Sequence, residues 1–153
     1  MLVRRAAVLG AGTMGSRIAA HLANCGIPVR LLDIVPAGEE KSRNRLAASA
    51  IDTLLKSKPA AFYELSAATL ITPGNFEDDL PSLANCDWII EAVTEDPAIK
   101  QALLTRILPH IGPASILTTN TSGLPVAQIA ASLGDAFTPA ARKRWFEIGR
   151  AHV

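Results

Sequence analysis

Gly10-Ala11-Gly12-Thr13-Met14-Gly15 places three glycines in six residues with the spacing Gly-x-Gly-x-x-Gly. Alone, that spacing describes any glycine-rich turn, including one that binds nothing. Its surroundings give it chemistry. An apolar stretch ending at Leu9 precedes it, an amphipathic helical pattern opens at Thr13, and Asp33 stands at the end of the next apolar stretch. Gly10 permits a tight turn. Gly12 lacks a Cβ, so a pyrophosphate can approach the backbone, and Gly15 lets the helix pack close to the strand. With Ala11, Thr13 and Met14 they bring free amide N–H groups and the positive end of a helix dipole to one point. The Asp33 carboxylate can accept hydrogen bonds from both hydroxyls of an adenosine ribose and would repel a 2′-phosphate. The unit predicts a dinucleotide site for NAD rather than NADP. Arg30 is the nearby cation that could serve a phosphate, but it precedes the strand end.

The elements that must position these residues alternate. Strands are expected at Val3 to Leu9, Pro28 to Leu32, Leu70 to Thr72 (closed by Pro73-Gly74), Trp88 to Val93 and Ser115 to Thr119. Helices are expected at Thr13 to Asn24, with Met14, Ile18, Ala19 and Leu22 on one face, and at Ala37 to Ser57, Pro97 to Leu108 and Pro125 to Leu133. Ala61 to Ala68 and Asp79 to Leu83 read as short helical turns, and the pattern turns irregular from about Gly134. Strands alternating with helices predict an α/β fold, a Rossmann-type doubly wound parallel sheet, incomplete at its C-terminal end.

Composition narrows the class. The chain has 153 residues, 49% of them hydrophobic and 19% charged, with formal net charge +1. That suffices for one cored domain and gives no electrostatic case for nucleic acid or an anionic membrane. The basic run Arg142-Lys143-Arg144 reads as a solvated helix end. Cys25 and Cys86 form no disulfide framework and belong to no metal-ligand cluster, and both are expected as buried thiols, so no metal is expected. No apolar run reaches the length of a membrane span or a signal-peptide core, and a cytoplasmic location is expected.

Longer segments carry a family resemblance. Leu2 to Asp33, Cys86-Asp87-Trp88-Ile89-Ile90-Glu91-Ala92-Val93-Thr94-Glu95-Asp96 with Lys100 following, and Thr119-Asn120-Thr121-Ser122-Gly123-Leu124-Pro125 resemble the NAD-binding domain of 3-hydroxyacyl-CoA dehydrogenases. Ile71-Thr72-Pro73-Gly74-Asn75-Phe76-Glu77-Asp78-Asp79 is similar to large bacterial members that also carry an enoyl-CoA hydratase region. The resemblance implies that Glu95 and Lys100 line the NAD site, with Asn120. It places Ser122 near the nicotinamide and the substrate's 3-hydroxyl, and Ser49 and Lys56 against the CoA moiety. Read without it, Glu95 and Lys100 are an exposed helix-start acid and a solvated lysine, and Ser122 a helix cap. It further implies oxidation of an (S)-3-hydroxyacyl-CoA to the 3-ketoacyl-CoA in fatty acid β-oxidation, and a dimer for a full-length parent.

The family's His-Phe-Phe-Asn-Pro segment, which supplies its catalytic base, and the Glu that orients that base have no counterpart here. His21 and His110 fall in the wrong motif order, and His152 lacks the surrounding motif. Glu147 to Val153 resembles the translation of a DNA-sequencing adapter. The expected organisation is therefore an NAD-binding domain over 1–146, truncated, followed by a non-native tail over 147–153. Three readings stay open: a dehydrogenase fragment inactive by itself, a stand-alone NAD-binding regulatory or structural module, and another dehydrogenase on the same nucleotide unit.

Overall fold

The computed structural model describes residues 2–38, 40–134 and 137–148. Six parallel strands form one sheet in the order β3-β2-β1-β4-β5-β6. They are β1 (Ala6–Leu9), β2 (Val29–Asp33), β3 (Ile71–Asn75), β4 (Trp88–Glu91), β5 (Ile116–Thr119) and β6 (Trp145–Glu147). Helices α1 (Thr13–Asn24), α2 (Arg45–Leu55), α3 (Pro97–Ile107), α4 (Val126–Ser132) and α5 (Pro139–Arg142) connect them. The strand order reverses between β1 and β4, which opens a crevice at the carboxyl ends of those strands.

Alternation along the strands creates two cores. Ala6 and Val8 of β1 face α1 and α2, packing with Ala19, Ala20, Ala47 and Leu54. Ala7 and Leu9 face the other way, toward Leu103, Leu104 and Ile107 of α3 and Ile129 of α4. Burial on both sides explains why β1 reads as an unbroken apolar run rather than an alternating one. Helix α3 starts where Asp96 Oδ1 accepts the amides of Ala98 (2.8 Å) and Ile99 (3.0 Å), with Pro97 in the first turn, where its missing N–H costs nothing.

The structure departs from the expected elements in particular places. The helix expected over Ala37 to Ser57 is two pieces, a 3-10 turn at Glu40–Ser42 and α2; Gly38, at a left-handed φ of +76°, keeps the start out of the helix, and the non-helical backbone of Asn44 separates the two. Strand β3 runs through Pro73 and Gly74 instead of ending there. It is an edge strand with β2 as its neighbour, and an edge tolerates the missing proline donor. A Cβ on Gly74 would sit 2.6 Å from both Asp79 Oδ2 and a Leu32 methyl, so those side chains would have to shift to admit one. Met14 is 56% exposed rather than on the buried face of α1, which Gly15, Ala19, Leu22 and Ala23 make instead. Cys25 is exposed, because it caps the surface end of α1, whereas Cys86 is buried and burial pushes its thiol pKa up.

The irregular stretch after Gly134 contains α5 and a sixth strand. Trp145 of β6 packs edge-on against Phe137, ring centroids 5.9 Å apart, and pairs with Leu117. A three-residue strand is too short to show a sequence period, so only its pairing with β5 reveals it. Of the segment expected as a tail, Glu147 closes β6, and the Ile148 amide donates to Thr119 O at 3.0 Å. Residues 149–153, including His152, lie outside the described residues.

The β1–α1 turn is the tightest packing in the frame. Gly10 holds φ at +106°, and a Cβ there would lie 2.7 Å from Ala92 O. A Cβ on Gly15 would overlap the Gly10 carbonyl oxygen, which is backbone and has no room to give. Gly15→Ala should therefore destabilise the domain by about 1–3 kcal/mol or more, the cost of overpacking. Urea denaturation checks this, and an unchanged midpoint would mean that α1 does not sit this close.

Candidate functional site

Two clefts meet over the carboxyl ends of the strands. The larger, about 670 Å³, is lined by Gly12, Thr13 and Met14 of the turn, by Ala92 to Glu95 after β4, by Asn120, Thr121 and Ser122 after β5, and by Ile148. The smaller, about 490 Å³, is walled by Gly10, Gly12, Asp33, Ile34 and Phe76 on one side, and by Ala92 to Thr94 and α3 on the other. They share Gly12, Ala92, Val93 and Thr94, so together they form a trough across the point where the strand order reverses.

The first turn of α1 stands over the junction. Gly12 is its N-cap and supplies no side-chain cap, so the opening amides of the helix keep their donors for a ligand. A Cβ built on Gly12 would meet no atom within 4 Å, whereas Gly10 and Gly15 are closed in. The space beside Gly12 suits a diphosphate, held by amide donors and the helix dipole. At the end of β2, Asp33 Oδ2 accepts the Ala11 amide at 2.6 Å and Oδ1 accepts the Ile34 amide at 2.7 Å. The carboxylate is thus fixed against the glycine turn, and each oxygen keeps a lone pair for a sugar hydroxyl.

On the opposite wall, Glu95 Oε1 accepts the Thr121 hydroxyl, the Gly123 amide at 2.9 Å and the Ser122 amide at 3.0 Å. The Thr121 bond foremost, then those two amides, and the nearby Lys100 ammonium hold its carboxyl far below the ordinary glutamate value near 4.5, down to about 2. Its side chain is 44% exposed and faces the cleft.

Lys100 takes a different place from the cleft wall that the resemblance implies. It is 1% exposed and lies beneath the floor, where its Nζ donates to Glu91 Oε1 at 2.8 Å and to Val93 O at 3.2 Å. Glu95 Oε2 is 3.6 Å from the same nitrogen. Glu91, wholly buried, also accepts the Val93 amide at 2.8 Å and the Thr119 hydroxyl at 2.5 Å. Sequence reasoning passed over Glu91 and Thr121. The available signal was an acid closing the otherwise apolar Trp88-Ile89-Ile90, where an unpaired charge would be very costly.

Gly12, Thr13, Met14, Glu95, Asn120 and Ser122 therefore come together in the larger cleft, and Gly10, Gly12 and Asp33 in the smaller. Ala11 acts through its amide, and Gly15 is buried behind the turn. Ser49 and Lys56 sit on the exposed side of α2 and at its C-cap, and neither lines the trough. His21 on α1 and His110 in the turn after α3 are also away from it. Among the described residues there is no group of three or more His, Cys, Asp or Glu able to hold a metal, and no helix long and apolar enough to cross a membrane.

Two outcomes follow from these carboxylates. A depressed native pKa makes Glu95 stabilising above its ordinary value, with that contribution lost as pH falls from 4.5 toward about 2. NMR titration should put the Glu95 midpoint near 2, and Thr121→Val should raise it; an ordinary midpoint in the native chain would refute the bonding described. Lys100→Met leaves Glu91 buried without its cation and should cost about 3–5 kcal/mol in urea denaturation. A loss below about 1 kcal/mol, the scale of an exposed pair, would mean that water reaches Glu91.

Comparison with known proteins fits the geometry. Residues 5–139 match the family described as 3-hydroxyacyl-CoA dehydrogenase, NAD binding domain. A probable 3-hydroxyacyl-CoA dehydrogenase of Bacillus subtilis is 46% identical over 148 residues, covering 88% of this chain and 19% of that protein. One of Deinococcus radiodurans is 44% identical over 126 residues, covering 82% of this chain and 36% of that protein. The crystal structure of (S)-3-hydroxybutyryl-CoA dehydrogenase from Ralstonia eutropha superposes with a TM-score of 0.65 at 28% identity, over 95% of this chain and 48% of that one. The chain thus spans between a fifth and a half of the length of these relatives. With a glycine-turn helix end, an aspartate fixed beside it and a matched family domain in one fold, the chain belongs to the NAD-binding domain family of 3-hydroxyacyl-CoA dehydrogenases, and its cofactor is NAD.

Proposed function

We propose that this domain holds NAD for the oxidation of an (S)-3-hydroxyacyl-CoA to the 3-ketoacyl-CoA, a step of fatty acid β-oxidation, in a cytoplasmic enzyme whose full-length form is a dimer. The observation that carries the reading is the uncapped α1 N-terminus at Gly12, flanked by Asp33 on one side and the Glu95–Ser122 cleft on the other.

Each residue has a task in it. Asp33 holds the adenosine ribose, and the apolar walls made by Ile34, Phe76 and Ile99 receive the adenine. The amides opening α1 hold the diphosphate, with Thr13 and Met14 beside it. Glu95 and Asn120 border the nicotinamide end, with Lys100 fixing Glu95 from below. The Ser122 hydroxyl orients the substrate's 3-hydroxyl. Ser49 and Lys56, on the α2 side, meet the CoA portion. Bound NAD supplies the hydride acceptor. The proton needs a base, and no histidine among the described residues lines the trough. In this reading the isolated chain binds NAD and turns over little substrate. That same observation favours, as a second reading, a module that binds NAD without catalysis.

Calorimetry with NADH tests the proposal. The chain should bind NADH, Asp33→Ala should weaken it by about 1.5–3 kcal/mol, and Gly12→Val should abolish it without loss of fold, since its surroundings are open. No heat from folded protein at millimolar NADH would sink both readings. Appreciable oxidation of 3-hydroxybutyryl-CoA by the isolated chain would refute the absence of a base.

A further inference from the structure

Among the described residues, Glu91 and Lys100 are the charged side chains removed from water. Such a pair is costly to bury, and apolar residues of the same volume would fill the space at least as well. Its geometry says what it accomplishes instead. Through Oε1, Glu91 holds the Val93 amide and the Lys100 ammonium, both in the segment that follows β4. Through Oε2 it holds the Thr119 hydroxyl at the end of β5, and that hydroxyl accepts the Thr121 amide at 3.3 Å. Lys100 carries the charge on to Glu95, whose other oxygen takes Thr121, Ser122 and Gly123. The two loops that wall the larger cleft are thus joined through one buried carboxylate. Asp33, in the smaller cleft, is tied by separate bonds to Ala11 and Ile34.

We infer that Glu91 is a positioning residue for the nicotinamide end of the dinucleotide. It touches no ligand and sets the separation of the Val93–Glu95 and Asn120–Ser122 walls. The inference rests on the NAD reading above and deepens it. A group of this kind is felt by the part of the ligand that its loops touch, because a wall displaced by about 1 Å loses contacts worth up to about 100-fold. Val93 and Thr94 border the smaller cleft as well, but the ribose and diphosphate contacts there are built on Asp33 and the α1 amides, which Glu91 does not touch.

The test compares NADH with ADP-ribose, which lacks only the nicotinamide, by calorimetry on the native chain, Glu91→Gln and Thr119→Val. In Glu91→Gln the preference for NADH over ADP-ribose should fall by roughly tenfold, with ADP-ribose affinity held within about twofold. Thr119→Val keeps the Glu91–Lys100 pair and removes the tether to β5, together with the acceptor of the Thr121 amide. It should lower the preference about fivefold, the worth of one hydrogen bond, and it decides the matter if Glu91→Gln does not fold. Equal weakening of both ligands would make Glu91 merely structural and overturn the inference, as would an unchanged preference. If neither ligand binds the native chain, the NAD reading fails instead.

Discussion

Helix α1 is pressed so closely onto the sheet that no side chain fits at Gly10 or Gly15. Gly15 meets the carbonyl of Gly10, and Gly10 in turn lies against the backbone of Ala92 after β4. This contact brings the amino end of the helix to the junction of the two clefts, between β1 and β4, where the strand order reverses. Everything functional is measured from that point. The dipole and the open amides serve an anion only because no capping side chain occupies them, and Gly12 supplies none. Asp33 is drawn to the same place by the Ala11 amide, so its carboxylate and the glycine turn are joined directly.

Two glutamates four residues apart meet opposite environments at the end of β4. Glu91 is still within the sheet and wholly buried, and an ammonium, an amide and a hydroxyl all donate to its carboxyl oxygens. Glu95 is past the sheet and open to the cleft, yet its bonds to the loop after β5 keep it ionised far into acid. Lys100 lies between them and serves both. The wall facing the glycine turn therefore presents the Glu95 carboxylate, held to the loop after β5 by these bonds.

Much of this was legible in the chain. The glycine spacing, the apolar strand before it and the acid after the next strand are local features, and local features fix local backbone. The same holds for α1, whose period and stop at Gly26 set its limits, and for α3, whose Asp96-Pro97 start is a cap in any context. Alternating strands and helices gave the doubly wound class without any knowledge of distances, and the longer segments pointed to the family.

Other features were decided by parts of the chain that lie far apart. Pro73 ends a strand by local preference, but at the edge of a sheet, paired on one side with β2, it continues one. Trp145 to Glu147 carry no period of their own and become a strand by lying beside β5. Lys100 reads as a solvated helix residue, yet the Glu91 carboxylate draws it under the cleft. Backbone preference within a few residues is a property of the sequence alone. Burial, and with it the worth of a charge or a missing donor, depends on which distant neighbours exclude water, and only the folded chain brings those together.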